Sequence, residues 1–386
     1  MKKKYRQSLL IALAALSLLF LGQTKAEAQD SPNPKANPAV QLLLLSEEEP
    51  LQSPNIVFVT SIAYDGNLGG LVGADQKCQA RAEAAGLPKN TYKAWLSTPS
   101  VNAIDRLGGA RGWVRVDGKP FADTKADIVA GKIFYPPRVD ELGNYDDTPY
   151  GSPVWTGTGS DGTLIWSGDT CSEWTSSSTT ANGYIGDNDS VAGVFTSLGM
   201  SGCNATRRLY CFGINNATSV AVKPVTGRIA FVTKDALILS GGLASADQKC
   251  MDEAQAAGLI GTFKALLATN SASAASRFSV SGQPWVRRDG VAVAPTAADL
   301  FSAKFLDSAI NLSADGLQYF GYDVVWNGAW IPIEAGTSDT TCNNWTSSNG
   351  ADTAANGISC FTYQGKFFAN YYGRCNTPYH LYCLQE

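Results

Sequence analysis

Short apolar runs of β-type residues alternate with polar, glycine-rich stretches along this chain, and the same order of segments occurs twice. Residues 56–60 form the first such run and residues 229–233 repeat it, which predicts a strand at the start of each copy. A glycine-rich turn follows, then an alanine-rich segment that stops at Gly86 in one copy and at Gly258 in the other. This pattern predicts a helix with a glycine at its C-terminal end.

Later segments return in the same order. The β-type runs are residues 92–97, 113–116 and 209–212 in the first copy and residues 263–268, 285–288 and 381–384 in the second. Between them, residues 136–200 are rich in Gly, Asp, Ser and Thr, so we expect long loops rather than regular elements there. The pattern therefore predicts an α+β fold class.

A Cys-x-x-Trp-Thr-Ser motif sets the length of the repeat. It starts at Cys171 and again at Cys342, an interval of 342 − 171 = 171 residues. Solenoid repeats have periods of only about 20–50 residues, so this interval indicates a duplicated domain. We place the copies at residues 55–213 and 228–386, with a connector at residues 214–227.

The first 54 residues differ from the repeats. Residues 1–28 begin with basic side chains, continue with an apolar run and end in Ala-Glu-Ala, which is the order of a secretory signal peptide. A membrane anchor is the alternative, but the apolar run is shorter than the about 20 residues that a spanning helix needs. Residues 29–54 are rich in proline and glutamate and predict a flexible linker. We therefore expect an exported protein that is secreted, periplasmic or on the cell surface.

Composition and charge further narrow the class of protein to which this chain can belong. The formal net charge is −4, with 30 basic and 34 acidic residues, so the chain lacks the basic footprint of a nucleic-acid-binding protein. Charged residues make up 17% of the chain and glycine 38 of its 386 residues, which suits loop-rich extracellular domains. Export also places the nine cysteines in an oxidising compartment, where disulfides persist.

Each copy has four cysteines at matching positions, which allow three connectivities. We expect the nested one, because it ties both ends of a copy together and separately closes the long loop. The expected bonds are Cys78–Cys211, Cys171–Cys203, Cys250–Cys383 and Cys342–Cys375. Cys360 has no counterpart in the first copy and is either a buried free thiol or a thiol for intermolecular pairing. We expect no metal site, since zinc-type spacing is absent and His380 is the only histidine.

The repeated residues carry a resemblance to a known family. A helix-borne first cysteine, a nested second pair, a tryptophan-rich loop region and a terminal Leu-Tyr-Cys strand resemble the C-type lectin-like fold. More specifically, Gly73-Ala74-Asp75, Lys93-Ala94-Trp95-Leu96, Val154-Trp155-Thr156-Gly157 and Cys171-Ser172-Glu173-Trp174 are similar to an uncharacterised bacterial domain family. That family is similar to collagen-derived endostatin and includes the leptospiral endostatin-like surface proteins. The second copy departs from the pattern at Leu266, which stands in place of tryptophan.

The resemblance implies two tandem, disulfide-stapled C-type lectin-like domains. Its members are secreted or surface proteins, and some bind host extracellular-matrix or complement-regulatory proteins. We therefore expect an exported, non-catalytic binding protein for an extracellular protein or glycan, with no cofactor, no nucleic-acid partner and no membrane span. The alternative is a secreted hydrolase that uses loop carboxylates of the first copy.

Motifs for metal or catalytic chemistry are mostly missing. Neither Glu-Pro-Asn nor Gln-Pro-Asp occurs, and the triplet at Trp326 lacks the carboxylate of Trp-Asn-Asp, so calcium-dependent sugar binding at the usual lectin site is not expected. No Gly-x-Ser-x-Gly elbow or phosphate loop occurs either. The first copy's loop is acidic, ending in Asp187-Asn188-Asp189. These residues are either calcium ligands at another site or solvated turn residues.

Aromatic residues in the irregular regions are the candidate ligand contacts. We interpret the repeated pairs Trp174/Trp345 and Trp155/Trp326 as core residues, and we expect Trp166 and Trp330 to be exposed. The predicted recognition loops are residues 135–150 and 317–333, because the copies differ most there. The candidate ligand-binding residues are Tyr135, Tyr145, Asp146, Asp147, Tyr150, Trp166, Tyr319, Tyr322 and Trp330. The competing hypothesis is that the tyrosines only cover the core of long loops.

Overall fold

The structure is a computed structural model that describes residues 53–148, 151–166 and 169–386. The predicted signal peptide, Tyr150 and all but the last two residues of the predicted linker lie outside the described residues. One compact unit spans Gln52–Glu386 and contains both copies. In the part of the chain that is described, no helix is long and apolar enough to cross a membrane.

The first copy is built around one mixed sheet. Its strands are β1 (Asn55–Val59), β2 (Tyr92–Ala94), β3 (Trp113–Arg115), β4 (Pro120–Ala122), β5 (Pro153–Trp155), β6 (Asn182–Asp187), β7 (Gly199–Gly202) and β8 (Arg208–Gly213). Its helices are α1 (Gly70–Ala84) and α2 (Lys125–Val129). The sheet order is β4-β3-β1-β8-β5-β6-β7, and β2 pairs with β8 beside this path. The first and last strands therefore lie next to each other.

The second copy repeats this arrangement. Its strands are β9 (Arg228–Val232), β10 (Phe263–Ala265), β11 (Trp285–Val286), β12 (Val324–Trp326), β13 (Thr353–Ile358), β14 (Tyr371–Arg374) and β15 (His380–Gln385). Its helices are α3 (Gly242–Ala256), α4 (Asp299–Ser302) and α5 (Gln364–Phe367). The order is β11-β9-β15-β12-β13-β14, with β10 paired to β15. The predicted α+β class is confirmed, with two sheets and few helices.

The alanine-rich segments form the long helix of each copy, as predicted. In α1 the buried stripe is Ala74, Cys78 and Ala82, and in α3 it is Ala246, Cys250 and Ala254. Small side chains spaced four residues apart let each helix lie close to its sheet. Gly86 has φ 67° and Gly258 has φ 69°, a conformation that glycine adopts without steric cost. Each helix therefore stops where the sequence predicted it would.

The four disulfides have the nested pairing. Cys78–Cys211 and Cys250–Cys383 each join the long helix to the last strand across 133 residues. Cys171–Cys203 and Cys342–Cys375 close loops of 32 and 33 residues. The chain-entropy model assigns about 5 kcal/mol to each outer bond and about 3.7 kcal/mol to each inner one. Of the three possible connectivities, the expected one is therefore confirmed.

The Cys-x-x-Trp motif forms a left-handed helical turn in both copies. The φ angles of Cys171, Ser172, Glu173 and Trp174 are 49°, 53°, 54° and 65°, and those of Cys342, Asn343, Asn344 and Trp345 are 48°, 51°, 57° and 65°. Such a turn costs about 1–2 kcal/mol per non-glycine residue. It is retained because its ends are fixed: the cysteine is in the inner disulfide, and the tryptophan indole donates to the Ser97 carbonyl at 2.9 Å or the Ala268 carbonyl at 2.8 Å.

The two copies share a hydrophobic core. One cluster of buried side chains contains Trp95 and Phe195 of the first copy together with Phe301 and Phe368 of the second. Backbone bonds cross the same seam, where Val191 N donates to Cys360 O at 2.9 Å. The sequence predicted neighbouring domains on a short connector. The structure shows that the copies are also packed together, since they bury apolar surface against each other.

Candidate functional site

Tyr145 and Tyr319 belong to one hydrogen-bonded motif that occurs in both copies, and Tyr145 itself is 41% exposed. The Tyr145 hydroxyl donates to Asp117 Oδ2 at 2.6 Å, and that carboxylate accepts two bonds from the buried Arg115 guanidinium, at 3.0 and 2.5 Å. Burial first, and then the hydrogen bond to Asp117, raise the pKa of Tyr145 to about 12. This tyrosine therefore closes an Arg-Asp-Tyr network.

The second copy builds the same network. Tyr319 Oη lies 3.1 Å from Asp289 Oδ2, which accepts from Arg287 at 2.5 Å. Burial first, and then the Asp289 charge, raise the pKa of Tyr319 to about 12. The chain reverses in the same way before each tyrosine, through the bridges Val139 to Tyr145 and Leu312 to Tyr319. These two tyrosines are thus equivalent in their hydrogen bonding, and their role as ligand contacts stays a prediction.

Three further candidates of the first copy do not form one exposed surface. Tyr135 is 6% exposed and lies at the seam, where burial raises its pKa. Asp146 is buried and accepts from Asn188 Nδ2 at 2.8 Å, whereas the Asp147 side chain is 77% exposed. Tyr150 lies outside the described residues. The two adjacent carboxylates therefore have different environments rather than a shared one.

Trp166 and Trp330 are exposed as expected, and each packs edge-on against a tyrosine. Trp166 is 57% exposed and lies 5.7 Å from the Tyr184 ring at 89°. Trp330 is 43% exposed and lies 5.0 Å from the Tyr372 ring at 90°. This T-shaped geometry is a favoured one for aromatic pairs, so each tryptophan is held in place and remains partly exposed to solvent.

The tyrosines of the two aromatic pairs occupy the same cross-strand position in the two sheets. Tyr184 is opposite Met200 in the β6–β7 ladder, and Ala355 is opposite Tyr372 in the β13–β14 ladder. The tyrosine of this cross-strand pair therefore lies on β6 in the first copy, whereas in the second copy it lies on β14, the equivalent of β7. The sequence analysis missed both Tyr184 and Tyr372. The Tyr-Tyr doublet in β14 was the available signal, because one side chain of any such doublet faces outward.

Tyr322 lines a groove of 440 Å³ at the seam. Its walls include Tyr322 and Tyr371, which are 52% and 64% exposed, and Asp187 and Lys366 also contact it. Tyr322 packs at 6.1 Å against the ring of Phe361. This candidate residue is therefore accessible, although it lies away from the Trp330 pair.

The acidic end of β6 is buried in the seam. Asp187, Asn188 and Asp189 are each 1% exposed, so the interpretation as solvated turn residues is wrong for them. Lys366 Nζ of the second copy lies 2.5 Å from Asp187 Oδ2 and 3.6 Å from Asp189 Oδ1. Burial, and then the neighbouring Asp187 charge, raise the pKa of Asp189 well above its usual range. These carboxylates join the copies.

Two expectations for individual side chains are confirmed. The repeated tryptophans Trp155, Trp174, Trp326 and Trp345 are each 0–1% exposed and belong to the cores. Cys360 is a free thiol that is fully buried at the seam, where burial raises its pKa. A thiol in this environment is held in its unreactive protonated form.

Comparisons with other proteins add no relative. No protein-family model matches the chain, and no curated protein is significantly similar to it. Within the described ranges, no group of three or more His, Cys, Asp or Glu side chains is arranged to hold a metal ion. Among the candidate aromatic residues, Trp166 and Trp330 each combine exposure with a fixed aromatic partner.

Proposed function

We propose that this chain is an exported, non-catalytic binding protein with two tandem C-type lectin-like domains, of the endostatin-like type that its motifs resemble. The observation that carries the proposal is an exposed Trp–Tyr pair in each copy, whose tyrosine takes the same cross-strand position in both sheets. Fixed aromatic side chains provide large contact areas at a small cost in conformational entropy. The ligand is an extracellular protein or glycan, and the four disulfides suit an oxidising compartment outside the cytoplasm.

The hydrolase alternative has less support from the geometry. A general acid needs a raised pKa, but the pKa of Asp146 is lowered. Burial by itself would raise this pKa, and hydrogen bonds from Ser152, Thr148 and Asn188 outweigh that effect. Asp147 lies in solvent, 3.5 Å from the Arg138 guanidinium. Neither carboxylate therefore has the environment of a catalytic acid.

Surface plasmon resonance of the full chain on immobilised collagen, laminin and fibronectin tests this function. We expect at least one surface to bind it. Trp166→Ala or Trp330→Ala should then weaken binding by about tenfold or more, as at interface hot spots. Ile260→Ala is the matched control, because Ile260 is 89% exposed and lies between α3 and β10, outside both aromatic pairs.

The rival reaction is assayed on the same preparation. Turnover of generic glycosidase substrates that is abolished by Asp146→Asn or Asp147→Asn would replace the binding function with the hydrolase. Binding that survives both tryptophan substitutions would show that the ligand contacts another surface.

A further inference from the structure

A polar groove of 560 Å³ opens beside the Trp330–Tyr372 pair of the second copy. Asp339, Asn343, Asp352 and Tyr372 line it. Its volume is within the range of about 300–1,000 Å³ that is usual for small-ligand sites. An aromatic surface and a set of hydrogen-bonding groups therefore meet at one place.

Several polar groups of this groove are available for a ligand. In the described structure, the Asn343 amide and the Tyr372 hydroxyl have no hydrogen-bond partner. Asp339 Oδ1 accepts from Ser338 at 3.2 Å and Asp352 Oδ2 accepts from Ser347 at 2.5 Å, so the second oxygen of each carboxylate remains open. Carboxylates accept only, whereas an amide both donates and accepts. Together they match a ligand with several adjacent hydroxyl groups.

The left-handed turn presents one of these groups. Asn343 has φ 51° and ψ 58° within the turn Cys342–Trp345. Both ends of this turn are fixed, because Cys342 forms a disulfide with Cys375 and Trp345 is buried. The amide of an exposed residue is therefore held on a rigid backbone, which lowers the entropy cost of binding.

The groove belongs to the second copy only. By the position of the turns, Ser172 of the first copy corresponds to Asn343. By strand register, Met200 corresponds to Tyr372 and Ala181, just before β6, corresponds to Asp352, just before β13. Three ligand-capable side chains of the second copy are thus replaced by smaller or apolar ones. The scaffold is shared, and the chemistry at this face is not.

We infer that this groove binds a neutral saccharide without calcium, an inference that rests on the proposed binding function. A sugar ring stacks its C–H face on Trp330 or Tyr372, while its hydroxyls bond to Asp339, Asn343 and Asp352. No lysine or arginine lines the groove and two carboxylates do, so sulfated or sialylated sugars are repelled.

Calorimetric titration of the full chain with chitohexaose, cellohexaose and mannohexaose in EDTA tests this inference, with a heparin hexasaccharide as the anionic comparison. We expect at least one neutral probe to bind and heparin not to bind. Tyr372→Met and Asn343→Ser install the residues of the first copy, so the fold is compatible with them, and each should weaken binding by about tenfold or more. Met200→Ala in the first copy is the matched control and should leave affinity unchanged.

Binding of heparin alone overturns the saccharide site, and so does neutral binding that both second-copy substitutions leave intact. Neutral binding that appears in a parallel titration with Ca²⁺ but not in EDTA overturns it as well. If no sugar binds while a matrix protein still does after enzymatic removal of its glycans, the saccharide site fails and the broader binding function stands. A chain that binds neither class of ligand refutes both proposals.

Discussion

At the scale of single residues, buried charge is this protein's most costly feature. Neither carboxylate oxygen of Asp189 has a hydrogen-bond donor in the described structure, although Lys366 lies 3.6 Å away. Burial disfavours the charged carboxylate, and the negative charge of the neighbouring Asp187 disfavours it further. The pKa of Asp189 is therefore raised by burial first and by Asp187 second.

The raised pKa gives a pH dependence whose sign can be worked out. Asp189 binds its proton more tightly in the folded chain than in the unfolded chain, where its pKa is about 3.9. Its contribution to stability is therefore fully present below about pH 4 and is lost as the pH rises through the folded value. We expect Asp189→Asn to stabilise the fold by about 1–3 kcal/mol at pH 8 relative to its effect at pH 4.

Urea unfolding at a series of pH values measures this difference. Asp161→Asn is the control, because Asp161 is exposed in a turn and bonds only to nearby Thr163. A wild-type curve that stays parallel to the Asp189→Asn curve from pH 4 to pH 8 would contradict the assigned cause.

For single residues, the sequence predicted the disulfide and core side chains better than the contacts of the loop side chains. The cysteine pairs and core tryptophans followed from their repetition. Tyr145 and Tyr319 were assigned to divergent loops because the loop sequences of the two copies differ. They are 319 − 145 = 174 residues apart, whereas the framework repeats at 171 or 172. That small shift in spacing hides an equivalence that appears only when both hydroxyls meet the carboxylate of an Arg–Asp pair.

At the scale of elements, the left-handed turns carry strain that a single substitution should release. Ser172 has φ 53°, and its side chain is exposed. Glycine adopts this conformation freely but gives the unfolded chain more entropy, a cost of about 0.5–1 kcal/mol. Since the left-handed conformation costs a serine about 1–2 kcal/mol, Ser172→Gly should raise the unfolding free energy by about 0.5–1 kcal/mol.

Ser177→Gly is the matched control for this substitution. Ser177 is also exposed and lies just after the same motif, but it does not have a positive φ. Only the entropy cost applies there, so its melting temperature should fall while that of Ser172→Gly rises. Equal decreases in both variants would show that the turn is unstrained.

The sequence predicted α1, α3 and the principal strands because alanine content, apolar runs and glycine stops are local signals. The left-handed turns had no such signal, since each contains four consecutive non-glycine residues with positive φ. Their conformation is imposed from outside, by the inner disulfide and by the hydrogen bond from the turn's own tryptophan to a carbonyl 77 residues away in the sequence. Local propensity cannot report a constraint of that kind.

At the scale of the whole molecule, the shared core predicts one cooperative unit. The Arg287 guanidinium of the second copy is fully buried and lies 3.4 Å from the Ile133 carbonyl of the first. Ser308 Oγ donates to Phe134 O across the same seam at 2.5 Å. Unfolding one copy would expose these groups and the apolar surface around them, so neither copy should melt alone.

Scanning calorimetry of the disulfide-bonded chain examines this directly. We expect one heat-absorption peak whose calorimetric and van't Hoff enthalpies agree. Lys366→Met should lower its midpoint strongly, because it leaves Asp187 and Asp189 buried without their cation, a loss of about 3–5 kcal/mol. Two separate peaks in the unaltered chain would mean that the copies are independent domains.

The asymmetry of the seam limits how the two halves can be rearranged. Strand register places Ile358 of the second copy where the first has Asp187. Phe195 and Phe367 also correspond, because their carbonyls accept hydrogen bonds from the equivalent Tyr210 and Tyr382. The residue before each is Val194 in the first copy and Lys366 in the second. Neither copy (half) can therefore replace the other at the seam. A fusion of two first halves would set carboxylates against valine, and a fusion of two second halves would set an ammonium against isoleucine, so the carboxylates meet the ammonium only when unlike halves are paired.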